Sequence, residues 1–167
     1  MIEQQHTQHL GLKGTPPELA IYLTLFHTSG LHRNRDGTLA FSPPGEDDPC
    51  NWKKAWHDLR ELLKEAGTIA VETVLNRLAE PPYGLRQGVS PLFLAAFLLH
   101  YRQDVSLFER GTYVVQFSEH HFMRLTKSPK TFSIHFVPTE KEQASLIQEY
   151  WNTLDILKKH SNQQPEL

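Results

Sequence analysis

Residues 67–116, GTIAVETVLNRLAEPPYGLRQGVSPLFLAAFLLHYRQDVSLFERGTYVVQ, decide the fold. Gly67 breaks whatever helix precedes it, and Thr68-Ile69-Ala70 has room for one very short strand. Val71, Val74, Leu75 and Leu78 then recur at helical spacing until Pro81-Pro82 stops them. Tyr83 to Gly88 reads as a turn. Ser90-Pro91 starts the next helix, which continues Leu92-Phe93-Leu94-Ala95-Ala96-Phe97-Leu98-Leu99-His100, with Val89 placed to staple against Leu94. Val105-Ser106-Leu107-Phe108 and Thr112-Tyr113-Val114-Val115 flank Glu109-Arg110-Gly111, the pattern of a hairpin.

Upstream, Trp52, Trp56, Leu59 and Leu63 are spaced by four, three and four, which predicts an amphipathic helix over about 49–66. Leu62 and Ala66 widen its apolar stripe, and Lys53, Lys54, Asp58, Arg60, Glu61, Lys64 and Glu65 take the wet side. Over 49–116 the order is therefore helix, tiny strand, helix, turn, helix, hairpin. That is the winged-helix order, whose third helix is the usual reader of DNA.

Thr15-Pro16-Pro17-Glu18 marks a helix start, with a capping threonine, an early proline and a glutamate three residues after the cap. That helix is expected to run to about Ser29 and stop at Gly30. Leu19, Ala20, Ile21, Tyr22, Leu23, Leu25 and Phe26 leave it almost no polar face, so it belongs to the core or under another chain. Leu31 to Phe41 reads as a hairpin turning at Asp36-Gly37, and 42–48 as a loop. Downstream, Phe117-Ser118 opens a short helix that Pro129 ends. Thr131 to Val137 alternates as a strand, with Phe132, Ile134 and Phe136 on one face. Thr139 with Glu142 starts a C-terminal helix striped by Ile147, Trp151 and Leu154. The expected class is mainly α with small β (α+β), a winged-helix-like unit between an N-terminal apolar helix and a C-terminal amphipathic one. One compact domain is expected over 15–160, its winged-helix-like core at about 49–116 extended to 137, between flexible tails at 1–14 and 161–167.

The 167 residues suffice for one such domain with a real core. A lone cysteine, Cys50, excludes an intramolecular disulfide framework and fits a reducing compartment. Met1 to Leu10 is polar without an apolar signal segment, and Val89 to Leu99 is far short of the ~20 residues of a membrane span. A soluble, cytoplasmic protein with no membrane contact is expected. Net charge is -2, no footprint for nucleic acid. Residues 84–137 hold 6 Lys/Arg against 3 Asp/Glu, a mild bias that an ordinary solvated surface accounts for.

Two stretches carry a resemblance: Pro81 to Leu92 (PPYGLRQGVSPL) and Leu107 to Val114 (LFERGTYV), with Asp48-Pro49-Cys50-Asn51-Trp52 before them. Together they resemble a C-terminal region of large, poorly characterised bacterial ATP-binding proteins, over roughly residues 48–137. The resemblance implies a domain that accompanies a P-loop ATPase, one tied to DNA transactions or phage defence. The ATPase motif Gly-x-x-x-x-Gly-Lys-Ser/Thr does not occur in this sequence, so no nucleotide cofactor is expected.

A DNA-reading helix needs Arg, Lys, Asn or Gln at base edges, and Pro91 to Leu99 has none. Its apolar surface is worth several kcal/mol of burial at ~25 cal/mol per Å², which points to core or an interface. Phosphate contacts remain open to Arg86, Arg110, Arg124, Lys127 and Lys130, although exposed turn residues are the plainer reading. His27, His32, Cys50 and His57, spaced by five, eighteen and seven, do not match a compact zinc pattern. His120 and His121 are adjacent on a helix and point apart. His57 lies about 10 Å along a helix from Cys50, too far to activate a thiol, and Asp47-Asp48 suits a helix start. No catalytic residue, metal or cofactor is therefore predicted. The sequence supports a non-catalytic docking or regulatory module, tied to a larger ATPase system. It would self-associate or bind another chain through Ile21, Tyr22 and Leu25. The alternative is a winged-helix domain making sequence-independent DNA contacts through its hairpin and the turn at Arg86.

Overall fold

The computed structural model describes residues 2–136, and the expected C-terminal helix and tail lie outside the described residues. The chain divides into units 1–137 and 138–167. The described fold combines helices with two small antiparallel sheets, an α+β arrangement.

Helix α1 (Pro17–Ile21) passes into a wider π turn, Tyr22–His27. The Thr24 and Thr28 hydroxyls donate to the carbonyls of Ala20 and Leu23, both at 2.7 Å, a competition that loosens an α ladder. The cap position belongs to Pro16 and makes no side-chain bond, so Thr15 does not cap as expected. Strands β1 (His32–Arg35) and β2 (Thr38–Phe41) form the expected hairpin. Its turn residues Asp36 and Gly37 have φ of 52° and 86°, the left-handed pair that a tight hairpin requires.

Helix α2 (Lys53–Ala66) starts later than the pattern predicts, because the Asp48 carboxylate holds 49–52 in a turn. It accepts the backbone N–H of Cys50 at 3.0 Å, of Lys53 at 3.2 Å, and that of Trp52 between them. Strand β3 (Thr68–Ala70), helix α3 (Val71–Ala79), helix α4 (Ser90–His100), and strands β4 (Val105–Glu109) and β5 (Thr112–Tyr113) follow. Strand β5 is shorter than expected: Val114 N–H still reaches the Leu107 carbonyl at 2.8 Å, but Val115 is 85% exposed. Helix α5 (Glu119–Lys127) is capped by Ser118 as expected, with His121 closing the reciprocal bond. Strand β6 (Phe132–Phe136) completes the described chain.

The sheet order is β3-β6-β4-β5, so the last strand stands between the tiny strand and the hairpin. Ile134 pairs Leu107 on one side and Ile69 on the other. Phe132, Ile134 and Phe136 are all buried, the alternation predicted from the sequence. Helix α4 is the axis of the core, with every residue from Phe93 to Leu99 buried. An all-apolar helix needs neighbours on every side. Trp56 of α2 packs on Phe93 and Phe97, with ring centroids 5.6 and 5.0 Å away. His100 donates through Nδ1 to the Phe41 carbonyl of β2 at 2.9 Å, and Tyr101 meets Phe136 of the sheet.

The first residues, expected as a loose tail, are packed. Ile2 and Leu10 are buried, and their backbone is tied down by two histidines. His6 bonds the Leu39 carbonyl at 2.9 Å, and His32 bonds the Gln5 carbonyl at 2.7 Å.

Candidate docking surface

Residues 93–99 of α4 are consumed by the core and offer no surface for a partner. Pro91 and Leu92 in its first turn and His100 at its end are half-exposed. The turn before Pro91 closes on the π turn. Ile21 is 48% exposed and Leu25 half-buried, and both face Gly88, Val89 and Leu92 across a furrow of about 380 Å³. Ile21 and Leu25 sit four residues apart on one helical face.

Tyr22 does not join them, which corrects the expectation that all three form one patch. Tyr22 and Phe26 make the neighbouring face, turned inward, and Tyr22 is 4% exposed. Its hydroxyl donates to His32 Nδ1 at 2.9 Å. The Gln5 carbonyl can only accept, so His32 Nε2 carries a proton, and in the neutral ring Nδ1 is left to accept from the Tyr22 hydroxyl. Burial is the main cause that lowers the His32 pKa, and the same cause lowers that of His100.

A second groove, about 740 Å³, shares Gly88 and Leu92 with the first and extends between α3 and α5. Leu75, Ala79, Phe122 and Pro129 supply most of its apolar floor, and Glu72 stands on one bank. Arg86 precedes the lining residue Gln87, while Lys127 and Lys130 flank Thr126 and Pro129. All three cations are exposed and make no ion pair among the described residues. The three are sequence neighbours of groove-lining residues, and none of them lines the groove itself.

The other two stand apart. Arg124 is engaged: its Nε and one terminal nitrogen each lie 2.7 Å from the Glu109 carboxylate. The fork holds that carboxyl below its ordinary pKa and occupies two of the five N–H donors of Arg124, whose charge is partly neutralised there. Arg110 occupies the hairpin tip with φ of 50°, and its backbone N–H donates to the Thr131 carbonyl at 2.7 Å, next to Lys130.

Among the described residues no group of three or more His, Cys, Asp or Glu side chains is arranged to hold a metal. His27 and His57 are exposed while His32 is buried against Tyr22. The Cys50 thiol is pushed up, first by burial and then by the Asp48 carboxylate, the opposite of nucleophile activation. Asp58 accepts from Lys54 at 2.6 Å and from Tyr83 at 2.5 Å, a bridge that ties the turn after α3 to α2. No described helix is long and apolar enough to cross a membrane.

The sequence reading passed over Val89, Leu92, Leu75 and Phe122. Val89 reads as a staple against Leu94, and Leu92 looks no different from its buried neighbours in an apolar run. Leu75 shares the i, i+3, i+4, i+7 stripe with Val71, Val74 and Leu78, so the pattern gives no sign that it lines a groove while the other three are buried. Comparison with models of known protein families, with curated proteins and with solved structures returned no match.

Proposed function

We propose that this chain is a non-catalytic protein-docking module of the cytoplasm, working beside a P-loop ATPase. The observation that carries it is the division of apolar surface. Residues 93–99 of helix α4 are spent on the core, while Leu92 in its first turn stays accessible with Ile21, Leu25 and Val89 in one furrow. Contiguous accessible apolar surface of this kind marks contact sites in soluble proteins. The ATPase partner rests on the sequence resemblance, and the winged-helix reading rests on element order, to which β6 adds a strand between β3 and the hairpin.

A second reading, a sequence-independent DNA contact, is favoured by one observation: the Arg110 backbone N–H bonds the Thr131 carbonyl, which brings the hairpin tip beside Lys130, and neither side chain makes an ion pair among the described residues. A photo-crosslinking amino acid placed at position 21 in the producing cells separates these readings. The proposal expects a discrete adduct with a P-loop ATPase, absent when the crosslinker stands at exposed position 65 on α2. An adduct with another protein would keep the docking role and remove the ATPase. No adduct at position 21 would remove docking altogether.

A further inference from the structure

We infer that residues 2–11 form a strap that a proton on His32 releases, uncovering an apolar slot beside the end of α4. The docking furrow takes no part in it. Ile2, Glu3 and Gln5 line one cavity of about 490 Å³ together with Leu98, Leu99 and Leu107. Ile2 and Leu10 are buried anchors at the two ends of the segment. Between them, imidazoles tie it to the fold. His32 holds the Gln5 carbonyl, His6 reaches the Leu39 carbonyl, and the His9 ring packs edge-on against Tyr22 at 5.4 Å.

The strap is held against its own backbone preference. His9 and Leu10 have φ of 51° and 55°, and Gly11 follows at 77°. Consecutive left-handed residues are costly where a Cβ is present, and they persist only where surrounding contacts enforce them. Weakening one of those contacts therefore favours departure of the segment.

His32 is the contact that a proton can weaken. It is 2% exposed, and in the closed strap its neutral ring donates from Nε2 to Gln5 and accepts at Nδ1 from Tyr22. A second proton would turn Nδ1 into a donor facing a buried hydroxyl that already donates to it. The ionisable groups around the ring are His6 and His9 of the strap, Tyr22 and His27 of the π turn, and Arg33 of β1. Strand β2 contributes none, and His100 bonds the Phe41 carbonyl of that strand. No carboxylate lines the cavity beside His32. Burial lowers its pKa, outweighing the Gln5 bond that raises it, and His6 adds to the lowering. With the strap away, solvent reaches the ring and it takes the proton at its ordinary value. The open form thus binds the proton more readily, and acid favours it.

Hydrogen exchange of the full chain, read by mass spectrometry as protection factors at about pH 7.5 and about pH 5.5, tests the strap on either side of the ordinary histidine value. Opening of residues 2–12 is expected to rise several-fold, to a ceiling of about tenfold for one linked proton, while residues 132–136 in the central strand keep their protection. His32→Gln, whose amide donates and accepts without titrating, should abolish the change. An equal rise in the parent and in His32→Gln would overturn the inference. So would protection lost together in 2–12 and 132–136, or a segment that exchanges equally at both pH values. If His32→Gln does not fold, Ile2→Ser supplies the reciprocal test. Loosening that anchor should raise the His32 midpoint read from its ring proton by NMR, and an unchanged midpoint would overturn the latch.

Discussion

Replacing Phe97 by Ala tests whether α4 is the axis of the core. The side chain is 0% exposed, with its ring 5.0 Å from Trp56 and 4.6 Å from Tyr101. Removing a buried phenyl ring loses its transfer free energy and leaves a cavity that close-packed aromatic neighbours refill poorly. The cost is about 3–5 kcal/mol. For a chain of 167 residues that corresponds to a fall in Tm of about 6–20 °C. Urea unfolding followed by tryptophan fluorescence gives the same quantity independently, because Trp56 reports the site directly. Leu92→Ala, in the half-exposed first turn of the same helix, should cost clearly less. A Phe97→Ala shift below about 2 °C, or one no larger than that of Leu92→Ala, would refute the reasoning, since a core aromatic cannot be that cheap.

Three further outcomes follow from the same geometry. DNA binding should be sequence-independent and salt-sensitive; Arg110→Ala should lower the salt slope by about one, while Arg124→Ala, held by Glu109, should leave it unchanged in an anisotropy titration. Equal effects of the two variants would show Arg124 to be free. His32 and His100 have lowered values in the folded state, so the unfolded chain binds protons more readily; their contribution is fully present above 6.5 and is lost as pH falls from there through the folded values. Urea midpoints should drop on the acid side of 6.5 for the parent chain and drop less for His32→Gln. Gly30→Ala should destabilise by more than about 1 kcal/mol and by more than Gly37→Ala. Both glycines have positive φ, but a Cβ on Gly30 would meet the Gly45 backbone nitrogen at 3.1 Å, whereas Gly37 has nothing within 4 Å. Paired thermal melts decide that order.

Local chemistry was legible where it was self-contained. Asp36-Gly37 fixed a hairpin turn, Ser118 fixed a cap, and alternation in 132–136 named the buried face of β6. The absence of reading side chains from 91 to 99 pointed to core, and the structure places 93–99 there. What was not legible depends on contacts distant in sequence. Nothing near residues 2–10 announces that His32 and Leu39 will hold them down, since those partners lie 27 and 33 residues away. The place of β6 between β3 and β4 is likewise a matter of pairing across the chain. An apolar helix with no polar face gives no phase, so Tyr22 could not be assigned inward and Ile21 outward by pattern alone. Glu109 and Arg124 are 15 residues apart, and only the fold brings them into one fork.

The central claim is that residues 93–99 of the apolar helix are core, while Ile21, Leu25, Val89 and Leu92 stay accessible in one furrow. Carbene footprinting of the native chain, with labelled residues located by mass spectrometry, addresses it directly, because the reagent inserts wherever apolar side chains meet solvent. The account predicts labelling at Ile21, Leu25, Val89 and Leu92, alongside the exposed Leu23, Tyr113, Val115 and Met123, with residues 93–99 silent until the chain is unfolded. Native labelling within 93–99, with positions 21 and 25 protected, would contradict it.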